Sequence, residues 1–296
     1  MNIFLNGKFL PIDQATLRVE DAGFQHAVGL FETMFVQGGR VFRLHEHLAR
    51  LAESAYHLGL AMNVNVNALA GAVESTVAHN ELISARIRLT MTAGPISLLK
   101  PQLDPPLPTL LIVPSEPTAY APEYFEQGIK VLIAPPMANP FDPLAGHKSL
   151  SYWSRLRLLR QVASLGAGEA IILNITNHLA SGAVSNLFLV KDGELLTPMA
   201  RGEEVDASLA APVLPGITRK VVMECANSLG IKVRKEMLTV EQLLEADELF
   251  LTNSSWQVLP VSKVEKKVIG DGRAGEVTKS LRAAVLAKID EETSPR

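Results

Sequence analysis

The sequence predicts a protein of mixed α/β class in two domains, a small amino-terminal α/β domain over residues 1–120 and a larger carboxy-terminal mixed α/β domain over 121–296. Three observations carry that expectation. A chain of 296 residues is longer than one typical domain. Strand-like and helix-like periodicities alternate along both halves. Between the halves, Pro114 to Pro122 is rich in Pro, Ser, Thr and Ala and reads as a linker, which places the boundary near residue 120.

The elements follow in order. Asn6-Gly7 between the short apolar runs of Asn2 to Leu10 has the chemistry of a tight hairpin turn. Phe31 to Val36 and Arg40 to Phe42 flank Gln37-Gly38-Gly39 and predict a second hairpin. Leu44, Leu48, Leu51, Ala55 and Leu58 recur at helical spacing with Gly59 as a stop, and Leu69, Val73 and Val77 repeat the pattern. Arg86 to Thr92 and Leu110 to Val113 read as strands. The prolines at 101, 105, 106 and 108 make 94–108 an irregular excursion. The second half opens with a strand over Ile129 to Ala134. It continues with strand-like segments at 170–174, 186–190 and 249–252 and helix-like ones at 150–164, 217–229 and 276–289.

Composition narrows the function. Hydrophobic residues make up 47% and charged residues 20%, an ordinary balance for a compact fold. A net charge of -3 without a basic run gives nucleic acid no electrostatic footing. Cys225 is the only cysteine, so no intrachain disulfide or cysteine-based zinc site can form. No apolar run approaches the roughly 20 residues that cross a bilayer, and MNIFLNGKFLPID does not read as a secretory signal. The expectation is a cytoplasmic enzyme or binding module with small-molecule partners and no membrane contact.

Four places could hold chemistry. Pro212 to Arg219 puts Gly216-Ile217-Thr218 where a loop feeds a helix amino terminus, whose N–H groups favour a phosphate. Thr252-Asn253-Ser254-Ser255 is a hydroxyl-rich turn after a strand. Arg50 lies beside the apolar Leu51 on a helix. Lys148, in Gly146-His147-Lys148-Ser149-Leu150, sits between a proline-rich loop and a helix, where a lysine amine with a lowered pKa becomes nucleophilic. Each also has an ordinary reading as a helix start, a polar turn, a solvated charge or a surface lysine. His45 and His47, two apart on one helix, face different ways and do not suggest a shared metal. Asp247-Glu248 and Asp290-Glu291-Glu292 read as solvated carboxylates, so no metal is assigned.

Taken in order, these segments resemble the class IV aminotransferases. The matching stretches are Gly23-Phe24-Gln25, Gly29-Leu30-Phe31-Glu32-Thr33-Met34, His45 to Leu51, Lys148, Ser185 to Val190, Leu214 to Arg219, Ala246 to Leu251 and Val258 to Val261. The resemblance implies a fold-type-IV pyridoxal phosphate enzyme, with the cofactor between a small and a larger domain, and a homodimer. It casts Lys148 as the Schiff-base lysine and proton shuttle at the substrate Cα. By the same resemblance Arg50, Gly216, Ile217, Thr218, Asn253, Ser254 and Ser255 bind the cofactor, and Phe31 and Ala93 lie on the substrate side.

The chain departs from the family where the family has a glutamate, five residues before the Asn of its SNxF motif, facing the pyridine nitrogen. That position is Ser181. A neutral hydroxyl leaves the nitrogen largely unprotonated and the ring a weaker electron sink. This departure, the GLFETM segment and the Asn253-Ser254 turn tilt the expectation toward elimination of the aminodeoxychorismate-lyase type. A branched-chain-like L-amino-acid transaminase is the alternative, and a catalytically inactive pyridoxal phosphate-binding protein a further one. Ala93 replaces the arginine that holds a substrate carboxylate in D-amino-acid transamination, and Ala27-Val28 replaces the usual Gly-Asp before the FET segment.

Overall fold

A computed structural model describes residues 1–96, 108–205 and 209–294, so most of the proline-rich excursion, residues 97–107, lies outside the described residues. The chain packs as two compact units. The first comprises Met1–Thr118, His147–Ser151 and Ile289–Arg296; the second comprises Ala119–Gly146 and Tyr152–Lys288.

The first unit contains β1 (Asn2–Leu5), β2 (Lys8–Pro11), α1 (Ala22–His26), β3 (Gly29–Gln37), β4 (Arg40–Val41), α2 (Leu44–His57), α3 (Val66–His79), β5 (Ala85–Thr92) and β6 (Leu110–Ser115). Among the described residues its strands form one antiparallel sheet in the order β2-β1-β6-β5-β3-β4. Alternation on β5 buries Ala85, Ile87, Leu89 and Met91. These pack with Leu44, Leu48, Leu51 and Ala55 of α2 and Leu69, Val73 and Val77 of α3, as the helical spacing requires. Both expected hairpins form, with Asn6 (φ 48) and Gly7 (φ 88) in one turn and Gly38 (φ 57) and Gly39 (φ 75) in the other.

The expected linker begins later than composition suggests. Pro114 and Ser115 belong to β6, opposite Ile87 and Arg86. Pro114 lies beyond Leu111 and Ile112, the two residues where β1 pairs with β6, which is where a strand tolerates a missing N–H.

The second unit contains α4 (Glu123–Gln127), β7 (Ile129–Ile133), α5 (Trp153–Ser164), β8 (Glu169–Leu173), β9 (Leu179–Gly182), β10 (Asn186–Lys191), β11 (Glu194–Pro198), α6 (Ile217–Ser228), β12 (Val233–Glu236), α7 (Val240–Leu244), β13 (Glu248–Asn253), β14 (Gln257–Val264) and β15 (Lys267–Val268). A last helix, α8 (Glu276–Thr293), closes the chain. Its mixed sheet runs β12-β11-β10-β13-β14-β7-β8-β9, with β15 paired to β14. The pairs β7–β8, β7–β14 and β11–β12 are parallel. Strands buried on both faces explain the continuous apolar runs of β8 and β10. One core cluster holds Ile171, Leu173 and Leu179, and another holds Ala170, Ile172 and Ala180.

Two acidic groups expected to be solvated have structural work. Glu248 accepts from the N–H of Val277 (3.0 Å) and Thr278 (2.7 Å) and from the Thr278 hydroxyl (2.6 Å), capping α8. Glu292 grips the Arg43 guanidinium at 2.7 and 2.8 Å. Both partners lie far away in sequence, which is why spacing alone pointed to solvent.

Candidate active site

In the first unit the site is built on the edge of β3. β4 pairs only with Val36 and Gln37, so the opening of β3 has an open edge, and the Lys148 segment fills it. Phe31 N–H donates to Lys148 O (3.0 Å), Leu150 N–H donates to Gly29 O (2.9 Å), and Leu30 bridges Ser149. A Cβ at Gly29 would lie 2.6 Å from Met91 O and 2.7 Å from Leu150 Cδ1, so this close approach needs glycine. The pairing also explains why α5 begins at Trp153 and not at 150. The backbone of Ser149 and Leu150 is spent as strand. The chain-order division at 120 puts Lys148 in the second domain, whereas these bonds place His147–Ser151 with the first unit.

Lys148 is half-buried, and its Nζ lies 4.6 Å from the centroid of the buried Phe31 ring. The Arg88 guanidinium, from β5, lies 3.8 Å from the same centroid. Before Lys148, His147 Nδ1 is 2.9 Å from the Ser54 hydroxyl, tying the segment to α2. Ala93 follows β5, half-buried, with its N–H donating to Val28 O (3.2 Å). It offers no polar side chain.

Arg50 points inward. Its Nε and Nη2 donate to Glu32 Oε1 (2.9 Å) and Oε2 (2.6 Å), and His47 Nδ1 donates to Glu32 Oε2 (2.8 Å). Burial pushes the Glu32 carboxyl up, but the Arg50 charge and the His47 and Arg50 hydrogen bonds outweigh it and hold it at about 2. Burial pushes the His47 imidazole down more than Glu32 raises it, and the charges of Arg50 and Lys148 push the same way. His47 therefore serves Glu32 as a neutral donor, while His45, two residues away, is exposed. No local pattern hints at this trio, because β3 and α2 bring Glu32 to Arg50 only through the sheet-to-helix packing.

The second unit carries the other candidates. Gly216 is the N-cap of α6, with no side-chain cap among the described residues, so the first N–H groups of the helix keep their capacity for an anion. Asn186 at the start of β10 holds the loop by donating from Nδ2 to Leu214 O (2.9 Å). A Cβ at Gly216 would fall 1.9 Å from Asn186 Oδ1, so any side chain there would displace the Asn186 amide that holds Leu214. Ile217 and Thr218 are buried in the first turn. Arg219 is no anion ligand: Glu203 pairs with it at 2.8 Å, and it donates to Pro198 O at 3.0 Å.

In the hydroxyl turn, Asn253 Oδ1 accepts from the N–H of Ser255 (2.8 Å) and Trp256 (3.1 Å). That arrangement occupies the Ser255 backbone donor and leaves Ser254 and Ser255 half-buried. Ser181 on β9 is 5% exposed, and its hydroxyl has no hydrogen-bond partner among the described residues. Thr252 Oγ1 on β13 is likewise buried without one.

The class IV amino-transferase family model matches residues 29–264, which spans β3, the Lys148 segment, the Gly216 loop and the hydroxyl turn. The chain belongs to the class IV aminotransferase family. Its members are pyridoxal phosphate-dependent aminotransferases and lyases, and the chain has their fold. It is 31% identical over 307 aligned positions to the branched-chain-amino-acid aminotransferase of Escherichia coli (strain K12), covering 99% of this chain and 94% of that one. A crystal structure of the Escherichia coli branched-chain amino acid aminotransferase matches with a TM-score of 0.88 at 29% identity, over 100% of this chain and 96% of that one. The 4-amino-4-deoxychorismate lyase of Pseudomonas aeruginosa matches with a TM-score of 0.82 at 26% identity, over 97% of this chain and 99% of that one. A further branched-chain amino acid aminotransferase, solved with pyridoxamine 5′-phosphate, matches with a TM-score of 0.87 at 27% identity, over 99% and 95%. The lean toward a lyase, drawn from Ser181 and two short motifs, is not the side these relatives favour. Among the described residues no helix is long and apolar enough to cross a membrane.

Proposed function

We propose that this class IV enzyme is an L-amino-acid transaminase of the branched-chain type that holds pyridoxal 5′-phosphate through Lys148. The observation that carries the reading is the Lys148 segment, built as an extra strand on β3 so that the amine lies over Phe31 while its backbone is fixed. Each unit by itself offers groups that suit part of the cofactor: the first an amine for its aldehyde at Lys148, the second an uncapped helix start at Gly216-Ile217-Thr218 and hydroxyls at Ser254 and Ser255 for its phosphate, and at Ser181 a buried hydroxyl without a partner among the described residues for its ring. Asn253 takes part by shaping the turn.

When bound, pyridoxal phosphate supplies an electron-withdrawing ring that lowers the cost of removing a proton from the substrate Cα. The chain handles the rest. Lys148 is the base placed to take the proton from the substrate Cα and to hold it for delivery away from that carbon. Arg50, its plane fixed by Glu32, adds a localised positive charge for the phosphate. Arg88 is the cation placed for a substrate carboxylate, a residue that sequence reading passed over although the alternation of β5 puts Arg86, Arg88 and Thr90 on one face. Phe31 provides the apolar wall beside both cations, and Ala93 leaves room where it adds no charge. A homodimer is part of the same proposal.

Transamination of leucine or valine with 2-oxoglutarate, followed by release of glutamate, tests the reading. Turnover of either pair supports it. The specific observation favouring the lyase reading is the neutral Ser181, and release of pyruvate from 4-amino-4-deoxychorismate with no turnover of amino-acid and keto-acid pairs would establish it instead. Cofactor capture with no reaction on either substrate class would leave the inactive binding protein.

A further inference from the structure

Among the buried polar atoms of the second unit, Ser181 Oγ stands apart because a carboxylate lies one strand away and does not serve it. Glu169, on β8, is buried, yet its oxygens are committed. Oε1 accepts from the N–H of Ala170 (2.9 Å) and Ala183 (3.0 Å), and Oε2 accepts from the N–H of Val184 (3.2 Å) and the Ser185 hydroxyl (3.2 Å). Register puts the two side chains on opposite faces. Ile171 pairs with Gly182 and Ile172 with Ser181. Residues two apart share a face, so Glu169 lies on the face of Ile171 and Gly182. A Cβ built on Gly182 would indeed sit 3.2 Å from Glu169 Oε2. Ser181 faces the other way, with Ile172.

We infer that Ser181 donates its hydroxyl proton to an uncharged ring nitrogen of the cofactor, so that the chain binds pyridoxal phosphate with that nitrogen unprotonated and without a carboxylate counter-ion. This rests on the proposed cofactor role of the site. The physical reason is directional. A buried hydroxyl left without a partner costs free energy, and an acceptor with a lone pair removes the cost. A pyridinium at the same place would bury a positive charge that Glu169, turned to the other face and shared among four donors, does not offset. A donor to the neutral form disfavours the protonated one. The proton on Cα must then be removed with less help from the ring, which places more of the task on Lys148.

The test is the nitrogen-15 spectrum of ring-labelled pyridoxal 5′-phosphate bound to the whole protein, read across neutral and mildly alkaline pH. In the wild type the resonance is expected at the unprotonated position and not to move with pH. In Ser181→Ala it should move away from the hydrogen-bonded position, with cofactor affinity weaker by about 3- to 10-fold, the range for loss of one hydrogen bond. In Ser181→Glu it should move to the protonated position. A protonated nitrogen in the wild type overturns the inference, as does a resonance that Ser181→Ala leaves unchanged. Borohydride reduction of the same samples separates the two levels. Cofactor attached to Lys148 with a protonated nitrogen removes this inference alone, whereas failure to attach removes the proposed function and this inference with it.

Discussion

Among the described residues each unit buries one glutamate, Glu32 in the first and Glu169 in the second, and the two are treated oppositely. Glu32 in the first unit faces Arg50 and a neutral His47, and its carboxyl is held at about 2. Glu169 in the second unit faces only backbone N–H groups and the Ser185 hydroxyl; burial pushes its carboxyl up, and those hydrogen bonds only partly offset the rise. Depth of burial is the same in both, so it does not decide the charge state. A guanidinium within hydrogen-bond reach does, because it supplies a full counter-charge where solvent screening is weak. Glu32 is a fixed anion that orients a cation. Glu169 organises the 182–185 turn and tolerates a proton.

The largest effect should come from breaking the charged member. Glu32→Ala leaves Arg50 and His47 buried without their acceptor, and urea unfolding is expected to show a loss of about 3–5 kcal/mol, the range for removing one partner of a buried ion pair. A loss below about 1 kcal/mol would mean that Arg50 finds other company cheaply.

Acid sharpens the contrast next. Glu32 is held lower in the folded chain than its ordinary 4.5, so its contribution is full above about pH 4.5 and fades as pH falls toward about 2. At about 1.4 kcal/mol per pH unit the shift is worth about 3 kcal/mol. The stability of wild type relative to Glu32→Gln should therefore shrink through that acid window, and a constant difference would contradict the pairing.

For Glu169 the sign reverses and the effect is smaller. Its folded value is raised, so its contribution is greatest below the ordinary carboxylate range and declines as pH rises through the folded value. Glu169→Gln puts an NH2 group against two of the four donors, for an expected loss of about 1–3 kcal/mol. That loss should be smaller at pH 8 than at pH 5. Growth of the difference with pH would show that Glu169 is held ionised like Glu32.

What could be read ahead of the structure follows the same divide. Local patterns gave α2, α3, both hairpins of the first unit and the strand starting at Ile129, because periodicity and turn chemistry are properties of neighbours. The Glu32–Arg50–His47 trio joins residues on β3 and α2, and Arg88 and Lys148 lie over the same Phe31 ring from segments far apart in sequence, so neither had a local signature. The motifs placed Lys148 on a helix seam, whereas its backbone is a strand partner of β3, a pairing that depends on β4 being short. In the second unit, the glycine at 216 and the serine at 181 were legible as departures or matches within motifs. That Asn186 explains the first, and that Glu169 lies on the wrong face to rescue the second, required register. The acidic groups at 248 and 292 looked solvated because their partners are distant in sequence.

Attachment of the cofactor at Lys148 is read from the visible absorbance of purified protein with added pyridoxal phosphate, in wild type and Lys148→Ala, before and after borohydride. A visible band is expected in the wild type only, converted by reduction into cofactor bonded covalently to the peptide containing Lys148. The same band and the same covalent attachment in Lys148→Ala, or neither in the wild type, would contradict it.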